Sequence, residues 1–148
     1  MRKLVALLAA GAIAALALAA LSSARPAAGM KKLNATLTAG QEIPKQVVKD
    51  QAAHGTFAGT LVGTKLTWKL TFAKLTGPAT AAHIHLAGMG KSGPVVVPLC
   101  GPCKSGMAGT AKISAAVLAK IEKHLMYVNV HTAKNPAGEI RGQVTATG

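Results

Sequence analysis

Acidic residues are scarce. Glu42, Asp50, Glu122 and Glu139 are the only four in 148 residues, and Asp50 is the sole aspartate. Hydrolysis by paired carboxylates or by a Ser-His-Asp set needs acids held in partnership, and four scattered ones do not supply it. Aromatic residues are nearly as rare: one Trp, one Tyr and two Phe. Without stacking platforms or clustered arginines the chain lacks the groups that read bases, so nucleic acid is excluded as a target. There are two cysteines, and neither follows the N-terminal apolar run, which argues against a lipid-anchored lipoprotein. Only one apolar run is long enough to approach a membrane span.

That run, Leu4 to Leu21, follows Arg2 and Lys3 and precedes Ser22-Ser23-Ala24. A basic start, an apolar stretch and a small-residue exit describe a secretory signal peptide. Residues 1–28 are assigned to it, with cleavage between Ala24 and Gly29, and 29–148 to one mature domain. The alternative is an uncleaved anchor. The protein is expected to be secreted or periplasmic.

Without Arg2 and Lys3 the chain carries 15 basic residues against the four acids, a net of +11. Thirteen of the 15 are lysines, dispersed along the chain. Outside the cytoplasm such a charge suits anionic cell-surface polymers or lipids, or attracts small anions. It also serves plain solubility.

Most of the mature chain alternates apolar and polar residues, the period of a half-buried strand. Leu33 to Thr38 begins the series. Gly55 to Val62 and Lys65 to Phe72, joined by Gly63-Thr64, form the clearest hairpin, and it holds the Trp and both Phe. Val95 to Leu99 reads as a short buried strand, Met107 to Ile113 as another, and Glu139 to Ala146 as the last. One stretch has helical spacing, 114–123, with Ser114 placed to cap it. Seven or eight short strands, turns between them and one helix indicate an all-β, Greek-key antiparallel sandwich or barrel.

Chemistry concentrates in two strands, Ala81-Ala82-His83-Ile84-His85-Leu86 and Met126-Tyr-Val-Asn-Val-His131, which contain three of the five histidines. Period-two geometry puts His83 and His85 on one face and Ala82, Ile84 and Leu86 on the other. In the second strand Met126, Val128 and Val130 form the apolar set, while Tyr127, Asn129 and His131 point away from it. With the apolar sets inside, all three histidines stand on the outside of the sheet. Three imidazoles there suit a surface copper or zinc ion. The fourth position would fall to water, His54, His124 or Met89. The same histidines could instead hydrogen-bond to the glycine-rich loop after Leu86 and pin it to the sheet. Arg141 could hold an anion near such a metal, or bridge Glu139 and a neighbouring carbonyl.

Cys100-Gly-Pro-Cys103 has the spacing of thioredoxin-type redox pairs, but that chemistry uses a helix N-terminus, and none is expected after Cys103. In an exported protein a small structural disulfide is the first reading, with a redox or soft-metal site as the alternative.

These stretches resemble the CHRD domain, the module named for its repeats in chordin. The marks are AAHIHLAGMGKSGPVVVPL, then YVNVHTAKNPAGEIRGQV, with LNATLTAGQEIP at the start; together they span 33–146. The resemblance implies an exported binding module of unassigned activity. More distantly, His83, His85, His131 and the turn from Asn135 to Arg141 are similar to copper/zinc superoxide dismutases. There the matching histidines bind copper on the outside of a Greek-key barrel. The bridging histidine and zinc ligands of that family have no counterpart, so dismutase-type oxidoreduction is the alternative function and a zinc subsite is not implied. The sequence leaves turnover, ligand and oligomeric state open.

Overall fold

The computed structural model describes residues 29–45 and 52–148; the leader assigned to 1–28 lies outside them. Nine strands and one α-helix occur among the described residues: β1 (Met30–Thr38), β2 (His54–Val62), β3 (Lys65–Ala73), β4 (Ala79–Leu86), β5 (Val95–Cys100), β6 (Ala108–Lys112), α1 (Ala115–Glu122), β7 (Met126–Thr132), β8 (Ile140–Gln143) and β9 (Thr145–Thr147). No helix among them is long and apolar enough to cross a membrane. The strands form one antiparallel sheet in the order β5-β4-β7-β8-β1-β2-β3-β6, with β9 also on β1. The sheet curls until β5 and β6 face each other across a seam. In this nearly closed barrel β7 returns beside β4 after β5 and β6, a Greek-key path.

Alternation explains the core. Leu33, Ala35 and Leu37 of β1, Phe57 and Leu61 of β2, and Leu66, Trp68 and Leu70 of β3 are all buried, while their sequence neighbours face out. Ile84, Val128, Val130 and Ile140 fill the opposite wall. The β2–β3 hairpin pairs Val62 with Lys65 across a two-residue loop whose first residue, Gly63, has φ 58°, a conformation that favours glycine. The Ser114 hydroxyl accepts from the Val117 N–H at 3.2 Å and starts α1, which presses fully buried Ile121 onto the barrel.

Two sequence expectations need correction. The stretch 139–146 is not one strand: it divides at Val144, because β8 pairs with β7 and with the end of β1, whereas β9 pairs with Lys32, Leu33 and Asn34. Nor is Val95–Cys100 a buried strand. It sits at the seam with only Val97 buried, and Pro98 is tolerated there because an edge strand does not need every N–H.

The segment 101–107 crosses the seam. Cys103 N–H donates to Ala79 O on one side; Gly106 N–H donates to Leu70 O and Leu70 N–H to Met107 O on the other. Cys100 and Cys103 form a disulfide that closes this segment. Neither thiol of freshly isolated native protein should therefore alkylate until a reductant is added. Immediate labelling of both would restore the redox or soft-metal reading. For the core, Phe57→Ala is expected to cost about 3–5 kcal/mol in urea unfolding. Val62→Ala, at a side chain 51% exposed, should change stability by no more than about 0.5 kcal/mol.

Candidate metal centre

The site grows out of the pairing of β4 with β7. Their register sets His83 opposite Asn129 and His85 opposite Tyr127, and places His131 opposite Ala81, diagonal to His83. β8 continues the rows, with Arg141 beside Asn129 and Gln143 beside Tyr127. All these side chains leave the outer face of the barrel, since Ile84, Val128 and Val130 occupy the inner one. The three histidines meet as alternation predicts: one ring nitrogen from each lies within 4.8 Å of the others. The ring centroids are 4.9 Å apart for His83 and His131, and 5.6 Å for His83 and His85.

The cluster is outside the barrel and reaches the protein surface only through His83, which is half-buried. His85 and His131 are each only 8% exposed. Two loops roof them. Segment 87–94 is held down by the Arg141 guanidinium donating to Gly88 O at 3.3 Å, by Gln143 Nε2 donating to Ala87 O at 3.0 Å, and by His85 Nδ1 on Gly93 O at 2.9 Å. Gly93 must lack a side chain, because a Cβ there would lie 1.9 Å from Leu86 O. The 133–139 turn supplies Pro136 O to His131 Nδ1 at 2.9 Å. Glu139 anchors that turn: it accepts from the Thr132 hydroxyl at 2.7 Å, Asn135 Nδ2 at 3.1 Å, the Thr76 hydroxyl at 2.8 Å, and the Thr76 N–H. Burial works against its charge, but these donors outweigh burial and hold its pKa below the ordinary value.

The carbonyl contacts decide which nitrogens are free. A carbonyl only accepts, so His85 and His131 each carry their proton on Nδ1 and present the Nε2 lone pair. His131 Nε2 therefore accepts from the His83 Nδ1–H at 3.1 Å, a proton that a bound ion would displace to the other ring nitrogen. His85 Nε2 is buried with no hydrogen-bond partner. Two nitrogens bound to one tetrahedral ion at about 2.0–2.1 Å would lie roughly 3.3 Å apart, close to the His83–His131 separation. The three donor atoms spread over up to 4.8 Å, so His83, His85 and His131 would hold one ion with their rings drawn somewhat closer together. Burial, together with mutual repulsion among the rings, lowers the His83 pKa to about 4. Burial likewise lowers those of His85 and His131, against the opposing pull of their carbonyl partners. All three rings are neutral at neutral pH, the form that ligates a metal.

Of the other candidate ligands, His54 sits at the start of β2 with Nδ1 on Ala52 O, and His124 is exposed after α1; neither joins the cluster. Met89 is on the roofing loop, 82% exposed. Arg141 is almost fully buried, with its guanidinium carbon 3.5 Å from the Tyr127 ring centroid, and Tyr127 in turn stacks on His85 at 4.8 Å. The expected bridge from Arg141 to a carbonyl exists, at Gly88, but the bridge to Glu139 does not, because Glu139 is committed to the 133–139 turn and Thr76. The acid that neighbours Arg141 is Glu42, which sequence reasoning missed. It follows the short 3₁₀ turn Ala39–Gln41, is 2% exposed, and sits under Gly138, where a Cβ would come within 2.6 Å of Glu42 Oε1 and 2.5 Å of Asn129 Nδ2. Its rarity among 148 residues was the one available signal. Burial raises its pKa to about 7 despite the Arg141 charge. Glu42 Oε1, Asn129 Oδ1 and Arg141 Nη1, like His85 Nε2, are buried without a hydrogen-bond partner.

A nearly closed Greek-key barrel with a roofed three-histidine cluster on its outer wall is the class of protein these features define. Residues 33–144 match the family model of the CHRD domain, and the chain belongs to that family. No curated protein and no solved structure matches it.

The ionisable groups imply a pH signature. The three histidines have folded pKa values lowered from the unfolded 6.5, so they cost stability as pH falls below 6.5, the cost from His83 levelling off near 4. Glu42, raised to about 7, works oppositely: its contribution grows as pH falls from 7 to 4.5. Glu42→Gln removes only the second effect. Its urea midpoint should therefore drop more steeply than the wild-type midpoint between pH 7 and 4.5. Parallel curves would show that Glu42 keeps an ordinary pKa.

Proposed function

We propose that this CHRD-domain protein is an exported binding module that holds copper through His83, His85 and His131. The observation that carries the reading is the pair of carbonyls, Gly93 O and Pro136 O, that fix two of the three rings with their lone pairs turned into the cluster. Carbonyl partners of this kind set tautomer and orientation in metal sites. Neutral imidazoles favour copper over the other common divalent ions, and the set has no thiolate or carboxylate to redirect the choice. Export is supported by the sequence of residues 2–24, which has the signature of a signal peptide.

Copper titration of the purified mature domain tests the proposal. Wild type should bind one ion, and His83→Ala, His85→Ala and His131→Ala should each weaken binding by about 100-fold or more, with His124→Ala unchanged. Binding should persist below pH 6.5 and fail only as pH approaches about 4, where His83 protonates. Equal weak binding by all five proteins would leave the histidines as loop anchors. Superoxide consumption by copper-loaded protein, abolished by the same three substitutions, would move the reading to a dismutase-type oxidoreductase.

A further inference from the structure

The lysines that look dispersed in sequence do not stay dispersed in the fold. On the outer face of β1, β2, β3 and β6 the ladder aligns residues in rows. Lys65 lies opposite Lys112. The next row reads Lys32, Thr60, Thr67, Thr110, with Thr147 of β9 beside Lys32. The row after that reads Asn34, Ala58, Lys69, Ala108, with Thr145 beside Asn34. Lys32, Lys65, Lys69 and Lys112 are all exposed and frame a floor of threonine hydroxyls. Because Ala58 and Ala108 are short, the centre sinks into a cleft of about 390 Å³, lined by Lys32, Asn34, Ala58, Thr60, Thr67 and Lys69.

No acid among the described residues offsets this face. Glu42 and Glu139 are buried on the other wall, and Glu122 pairs with Lys31 at 3.2 Å; Asp50 lies outside the described residues. Lys65 opposite Lys112 is a like-charge pair that costs stability on its own, and an anion lying across it would offset that cost.

We propose that this face is a docking surface for an acidic polysaccharide. Charge complementarity asks for a polyanion, and the hydroxyl floor asks for one rich in hydroxyls. From β1 to β6 the surface crosses three strand gaps, about 14 Å, long enough for a short run of sugar rings. A membrane surface fits less well. Interfacial binding buries a continuous apolar face, whereas the large exposed apolar residues here, Met30 and Val62, sit at one corner beside Lys65. The face is on strands remote in the ladder from the β4–β7 pair and does not depend on the metal reading.

The test uses alginate oligomers, a linear polyuronate, against the mature domain at two salt concentrations. Replacing Lys32, Lys65, Lys69 and Lys112 together by Gln should weaken binding at least about tenfold and flatten its salt dependence. Replacing Lys104, Lys120, Lys123 and Lys134, exposed elsewhere, changes net charge equally and should shift affinity by no more than about twofold. A single Lys65→Glu variant guards against misfolding of the quadruple one: it should raise thermal stability, by pairing with Lys112, while lowering alginate affinity. Equal losses in the two quadruple variants would overturn the proposal, as would no binding by wild type. So would binding to phosphatidylserine vesicles that exceeds alginate binding and is lost in the face variant.

Discussion

The antiparallel register of β4 on β7 is the constraint on which the rest of the structure depends. It buries Ile84, Val128 and Val130 inside the barrel, so a slip by one residue would turn that apolar set outward and drive His83, His85, Asn129 and His131 into the core. The two penalties point the same way, and the core therefore enforces the geometry of the candidate site. The histidines need no separate device to bring them to one place. They need only orientation, which the roofing loops supply through two backbone carbonyls.

Burying polar groups is costly unless they are paired, and the outer wall handles the cost in two ways. At Glu139 every bond available is made: Thr76, Thr132 and Asn135 surround the carboxylate, and the 133–139 turn becomes rigid enough to aim His131. Around the histidines the opposite holds. Glu42, Asn129, Arg141 and His85 each bury an atom without a partner. In folded proteins such groups cluster where a ligand or a function compensates them. The contrast between the satisfied network at the 133–139 turn and the unsatisfied one around the histidines separates the scaffold from the site.

The opposite wall follows different physics. There the outward residues meet solvent, and hydroxyls and ammonium groups are left in water at little cost. Lysines that are far apart along the chain, Lys32, Lys65, Lys69 and Lys112, come within a few strand spacings of one another because hairpins fold distant segments into registered rows. The protein thus presents a roofed, polar, neutral-histidine wall on one side and an open cationic wall on the other.

Much of this was legible in the residues themselves. Alternation with period two identifies the strands, puts Leu33, Phe57, Leu66 and Ile84 in the core, and turns His83, His85 and His131 outward, because side-chain direction in a strand is a local property of the backbone. Ser114 and the apolar spacing after it mark α1 for the same reason. What the sequence could not supply depends on loops and neighbours, which have no period. The burial of His85 and His131 under 87–94 and 133–139, the approach of Glu42 to Arg141, the separation of Arg141 from Glu139, and the seam position of Val95–Cys100 were all decided by tertiary packing. Local geometry determines which way a side chain points; only the assembled barrel determines what it meets there.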